Sequence, residues 1–160
     1  MRKNIKVYIV SIVIALAVGG LAAFFTRNNM SIYYSINQPT LAPPMILFPI
    51  VWSVLYIFMG IGSAIVYIKR KENPTEAYCG LRIYGLQLTV NFLWSIIFFN
   101  LQAYLFAFIW LLALVGLIVG MIFQFRTISK TASNFQIPYL LWVVFAGYLN
   151  LMVYILNGAN

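Results

Sequence analysis

Residues 103–125 read AYLFAFIWLLALVGLIVGMIFQF and are followed at once by Arg126. The run holds no charged side chain, and its one amide, Gln124, stands beside the basic stop. A helix of this length reaches about 34 Å at ~1.5 Å per residue, enough to cross the ~30 Å hydrocarbon layer of a bilayer. The apolar residues are continuous, without the alternation of polar and apolar positions that a membrane-spanning strand needs, so the run predicts a helix and not a barrel strand.

The same pattern recurs on both sides of it. Upstream lie apolar runs at about 7–25, behind Arg2, Lys3 and Lys6; at about 45–68, ending at Lys69-Arg70-Lys71; and at about 80–99, with Arg82 near its start. Downstream lies a fifth at about 135–156. Each is close to the ~20 residues a spanning helix requires. The chain of 160 residues therefore predicts one domain, 1–160, folded as an all-α membrane protein with a bundle of five transmembrane helices. Composition agrees. Hydrophobic residues make up 64% and charged residues only 8%, against about one quarter charged in a soluble domain, so lipid must solvate most of the surface.

Lys and Arg fix the expected orientation. With five spans, the N-terminus and the loops after the second and fourth helices share one side. Arg2, Lys3, Lys6, Lys69, Arg70, Lys71, Arg82, Arg126 and Lys130 fall on that side, and Arg27 alone on the other. Positive residues collect in the cytoplasm, which predicts a cytoplasmic N-terminus, an external C-terminus and a multi-pass protein of a bacterial-type plasma membrane. The net charge of +8 then belongs at anionic headgroups, and nucleic acid is not expected as a partner. Ala15-Leu16-Ala17 resembles a signal cleavage site, but the apolar run continues to Phe25, so a retained helix is expected.

Local punctuation gives further expectations. Pro43-Pro44 should open the second helix, where missing N–H groups cost nothing, and Pro49, further in, should bend it. Asn134 is the expected N-cap of the fifth helix, with Pro138 in its first turn. The one long connection, about 27–43, carries Tyr33, Tyr34, Ile36, Pro39 and Leu41. It is too apolar for a solvated linker and should fold back onto the bundle as an outer lid.

Missing residue types exclude several functions. There is no His and no Asp, and the two acids, Glu72 and Glu76, sit in a cytoplasmic loop. A carboxylate proton relay or cation site within the spans is thus not expected. Cys79 is alone, so neither a metal site nor an internal disulfide is expected. No Ser-His-Asp or Cys-His set exists for hydrolysis. What the spans do contain is uncharged polar and aromatic residues at helical spacing. Gln87, Asn91, Trp94 and Phe98 share one face, as do Tyr139, Trp142, Ala146 and Asn150, and as do Trp52, Tyr56 and Ser63. Two readings of these stripes stand side by side. One is interhelical packing and hydrogen bonding, the expected role of Gln87 and Asn150. The other is a pocket of indoles for a planar, mostly apolar ligand.

The motifs carrying these residues resemble the translocator protein (TspO/MBR) family, also called tryptophan-rich sensory proteins and peripheral-type benzodiazepine receptors. The chain has Ile32-Tyr33, then Gln38-Pro39-Thr40-Leu41-Ala42-Pro43-Pro44, then Trp52-Ser53-Val54-Leu55-Tyr56. These follow the family's W-Y, K-P-x-W-x-P-P and W-x-x-L-Y. Gln87, Leu88, Asn91, Trp94, Phe98 and Phe99 follow its third-helix motif. Pro138, Tyr139, Trp142, Phe145, Ala146, Leu149 and Asn150 follow its fifth. Ile32, Gln38 and Leu41 replace the usual Trp, Lys and Trp of the outer loop, which touches ligand preference and leaves the fold intact.

The resemblance implies a five-helix bundle whose pocket opens toward the long loop. It implies binding of porphyrins such as protoporphyrin IX, as ligand and not as a required cofactor, and of isoquinoline carboxamide and benzodiazepine compounds. By motif position, Tyr33 and Pro43 would form the lid, Trp52 and Asn91 would donate hydrogen bonds to the ligand, and Trp142 and Ala146 would line the lower pocket. Tyr56, Trp94 and Phe98 are further candidates, with packing as their competing role. Propionate groups would sit near the outer rim by Arg27, because charge is expensive at the midplane. The family also implies a homodimer through the third helix, where Gly85 and Thr89 form a small-x-x-x-small pair like Gly116 and Gly120 in the fourth. Three functions remain in view: a tetrapyrrole receptor or translocator; an enzyme for light- and oxygen-dependent porphyrin breakdown using Tyr33 and Trp142 as redox partners; and a secondary transporter.

Overall fold

The computed structural model describes residues 2–158, with side chains from Asn4 onward; Arg2 and Lys3 of the cation count lie outside the described side chains. Helix α1 runs Arg2–Thr26, a short α2 covers Ile32–Ser35, and α3 runs Leu47–Lys69. Helix α4, Pro74–Ser95, continues into a π-helical segment, Ile96–Asn100. Then come α5, Tyr104–Ile128, the single-turn α6, Lys130–Asn134, and α7, Ile137–Asn157. Among the described residues five segments are long and apolar enough to cross a membrane, α6 and α7 counting together as one.

The helices form a ring. α1 packs on α3 and α4, α4 on α5, and α5 on α7, while α3 and α7 meet only sparingly. Most of the core lies along the α4, α5 and α7 seams, where Leu111, Leu114, Ile118, Met121, Phe125, Tyr139 and Val143 are fully or nearly fully buried. The outside is as apolar as the inside. Ile5, Ile9, Val13, Leu112, Phe123 and Leu141 are all more than half exposed, the pattern of a helix hydrophobic all round that lipid covers. Lys6, Lys69, Arg70, Lys71, Arg126 and Lys130 fall at one end of the ring and Arg27 at the other. Arg82 stands two turns into α4 from the basic end.

Two expectations about helix starts need correction. α3 begins at Leu47, so Pro43-Pro44 precede it and Pro49 falls in its first turn. Pro49 bends nothing there, because its missing N–H would be an orphan anyway, and the carbonyl of Met45 already accepts from the Phe48 N–H at 3.2 Å. The polypeptide needs those residues to turn inward first, since Leu47 N–H closes on the Pro44 carbonyl at 2.9 Å. Asn134 is no N-cap. It ends α6, whose own N-cap is Ser129, with the Ser129 hydroxyl accepting from Ala132 N–H at 3.5 Å. Pro138 is at the start of α7, where its ring fits.

Close helix approach occurs at glycines the small-x-x-x-small pattern does not pick out. A Cβ on Gly60 would lie 2.6 Å from Ile12 Cα, one on Gly19 would overlap the Tyr56 ring, and one on Gly62 would overlap the Gln136 amide. Gly85, Gly116 and Gly120 have nothing within 4 Å of that position. Gly85 and Thr89 are exposed on the outer face of α4, next to Val18 and Leu21 of α1, and so do not pack inside the bundle.

Candidate functional site

The outer half of the ring encloses a cavity of about 310 Å³. Four elements and the long loop wall it. α1 contributes a strip of small residues, Gly19, Gly20, Ala22 and Ala23. α3 contributes Phe48, Trp52 and Tyr56; α4 with its π-helical extension contributes Asn91, Trp94 and Phe98; α7 contributes Ala146 and Asn150. Met30, Tyr33, Ile36, Gln38 and Pro39 close it from the loop. Neither Lys, Arg, Asp nor Glu lines it.

The long loop does fold back onto the bundle. Its helix α2 places Tyr33 inward, 9% exposed, with the phenol O–H donating to the Pro43 carbonyl at 2.6 Å. Tyr34 and Leu41 instead point outward. Burial raises the Tyr33 phenol pKa above its usual 10, with the neighbouring Tyr34 adding to the shift. Two amide clamps hold the loop ends. Asn157 accepts from Asn37 N–H at 2.7 Å and donates to the Asn37 carbonyl at 3.0 Å, while Asn29 donates to Asn100 at 3.0 Å.

The aromatic wall is a connected layer. The Trp52 ring lies 5.7 Å from Tyr56, 6.5 Å from Trp94 and 6.2 Å from Tyr139. Trp94 continues to Phe98 at 5.5 Å. Offset and edge contacts at these distances contribute about 0.5–1.5 kcal/mol each beyond area burial. The polar side chains beneath them are largely satisfied. Asn91 donates to Tyr56 at 2.9 Å, Trp94 donates to Asn150 at 3.1 Å, and Asn150 donates to the Tyr104 carbonyl at 2.8 Å. Tyr139 donates to Gln87 at 2.7 Å, so Gln87 and Asn150 both tie helices together.

Trp52, Tyr56, Asn91, Trp94, Phe98, Ala146 and Tyr33 therefore share one cavity. Of these, the Trp52 indole N–H makes no hydrogen bond among the described residues and borders the space. Asn91 has a second amide hydrogen beyond the one given to Tyr56. Pro43 stands behind the lining and acts through Tyr33. Trp142 also stands outside the lining, against expectation. It packs on Phe48 at 6.0 Å and Phe145 at 5.6 Å, and its buried N–H has no partner among the described residues. Phe48, which does line the cavity, stands against the Trp142 ring. Arg27 does not line the cavity; its guanidinium lies over the exposed Phe24 ring at 4.3 Å, beside the outer end of α1. The α1 strip and Met30 were invisible to motif reasoning. The only signal for α1 was the run of small residues from Gly19 to Ala23.

Comparison with known proteins agrees with this architecture. The TspO/MBR family profile matches residues 11–156. A "Tryptophan-rich protein TspO" of Chlorobaculum tepidum is 37% identical over 158 residues, covering 98% of this chain and 99% of its own. A protein of the same name from Archaeoglobus fulgidus is 33% identical over 97% of this chain and 99% of its own. The "Translocator protein" of Bos taurus is 32% identical over 82% of this chain and 79% of its own. With a bundle of five span-length helices and a profile match over nearly its full length, the chain belongs to the TspO/MBR family of membrane proteins.

Proposed function

We propose that this protein is a membrane receptor or translocator-like protein that binds porphyrins, protoporphyrin IX among them, and related flat apolar ligands in the cavity between its helices. The carrying observation is the cavity itself. It combines the faces of Trp52, Trp94 and Phe98 with a few polar atoms, chiefly the free Trp52 N–H and the Asn91 amide. Broad apolar faces with sparse, fixed hydrogen-bonding groups are what a flat ring system with polar edges needs. The relatives' names, which speak of tryptophan-rich and translocator proteins, fit this reading. The basic end faces the cytoplasm of a bacterial-type cell in this proposal, and the exposed Gly85 and Thr89 face of α4 meets a second copy.

The test is equilibrium binding of protoporphyrin IX to reconstituted protein in the dark. Ala146→Phe places a ring in the cavity from its α7 wall and should weaken binding by about 100-fold or more, equivalent to ~2.7 kcal/mol. Equal affinity for wild type and Ala146→Phe refutes the site. The same samples kept in light tell binding from breakdown. New products with wild type that are absent with Trp142→Phe would make the protein an enzyme.

A further inference from the structure

α1 and α3 run alongside each other, and each turns one stripe toward its neighbour. On α1 the stripe is Ile12, Leu16, Gly19-Gly20 and Ala23; on α3, in the opposite sense, it is Gly60, Tyr56, Ser53 and Pro49. Toward the basic end the stripes touch, Gly60 on Ile12 and Gly19 on Tyr56. Toward the outer end the contact stops. Gly20, Ala23, Pro49 and Ser53 all border the cavity, and all four are exposed. Residues on a closed helix–helix seam are buried; four exposed ones, two from each helix, mean that the seam is open. Nothing lies within 4 Å of where a Gly20 Cβ would stand.

The opening faces lipid. Phe24 flanks it on α1, with the Arg27 guanidinium over its ring, and Ile50 and Val54 flank it on α3, all three apolar side chains exposed. Gly20 and Ala23 stand six and three residues inside the α1 end at Thr26, roughly 9 and 5 Å in depth. The alternative way in, through the outer loop, is tied by the Tyr33–Pro43 bond and by the Asn37–Asn157 clamp. The cavity offers no charged side chain to an ionised ligand, and an ionised ligand would not cross the hydrocarbon to reach the opening.

We propose that the ligand reaches the cavity sideways from the bilayer, in uncharged form, through the gap between α1 and α3. This rests on the ligand-binding reading above and adds to it a route and a charge state. The loop then serves as a fixed roof.

The test uses full-length protein in phosphatidylcholine liposomes and protoporphyrin IX dimethyl ester, which has no free carboxylate. Gly20→Phe puts a ring in the gap, and the association and dissociation rates should both fall by about tenfold. Asn37→Cys with Asn157→Cys, cross-linked in a Cys79→Ser background, should leave both rates within about twofold of the uncross-linked protein. A slowed cross-linked protein with an unaffected Gly20→Phe overturns the proposal. A second readout needs no porphyrin. Ser53→Cys in the Cys79→Ser background should react with lipid-soluble N-phenylmaleimide and not with a charged methanethiosulfonate, and Gly20→Phe should suppress that labelling. Labelling by the charged reagent, or labelling indifferent to Gly20→Phe, removes the opening. Absent porphyrin binding with this labelling pattern intact refutes the ligand reading and leaves the opening standing.

Discussion

Replacing Gly60 with alanine adds one methyl group to a 160-residue protein, and the structure says where that methyl goes. It would lie 2.6 Å from Ile12 Cα and 2.9 Å from Ile12 N. Carbon atoms in good contact stand ~3.5–4.0 Å apart, so α1 must move outward by about 1 Å. The obstacle is backbone, and no side chain can swing away to spare it. Overpacking of this kind costs about 1–3 kcal/mol. The loss should fall chiefly on α1, whose buried side chains are few: Ala15, Ala22 and Thr26. Gly116→Ala is the matched control, because nothing lies within 4 Å of its new methyl. On an exposed helical face that change should be neutral, or stabilising by up to about 1 kcal/mol through helix propensity. Reversible unfolding of both variants in mixed detergent micelles, followed by circular dichroism, measures the difference. Equal stability of Gly60→Ala and Gly116→Ala would show that α1 does not rest on Gly60, and the argument for a tight lower seam would fail with it.

Two further outcomes are expected. Trp94→Phe keeps the ring contact with Phe98 but removes the donor to Asn150, and should cost about 1 kcal/mol in the same unfolding assay. Because the Tyr33 pKa is raised above 10 in the folded protein, the phenol's contribution is fully held below pH 10 and is lost as pH rises through the folded value. Protease cleavage of the long loop should accordingly be flat up to pH 10 and increase above it in wild type. Tyr33→Phe, which cannot bond the Pro43 carbonyl at all, should be cleaved faster than wild type below pH 10 and should lose that difference as the wild-type phenol ionises.

How much of this was legible in the sequence follows from the kind of signal each part leaves. The spans show because hydrocarbon enforces long charge-free runs, and 103–125 falls within one turn of α5 at both ends. The stripes through Asn91 and Trp52 show because helical spacing is regular and polar residues are scarce. Helix starts show less well. Pro43-Pro44 and Asn134 carry sound local propensities, but the chain needs a turn at 44–48 to bring Phe48 inward and a separate turn of helix at Lys130–Asn134 before α7. The side of a helix that an aromatic faces is set by its neighbours, and Trp142 stands against Phe48, outside the cavity lining. The α1 wall was hidden because it is made of side chains that are absent: Gly19 and Gly20 define the space by leaving it.

The four tryptophans are not equivalent. Trp52 and Trp94 line the cavity, whereas Trp110 donates to the Val90 carbonyl at 2.8 Å and Trp142 is packed behind Phe48. Two indoles thus border the space a guest would fill, and two stand behind its wall. A guest seated against the first pair should change their emission by direct contact, which makes the purified, unlabelled protein its own optical gauge of occupancy.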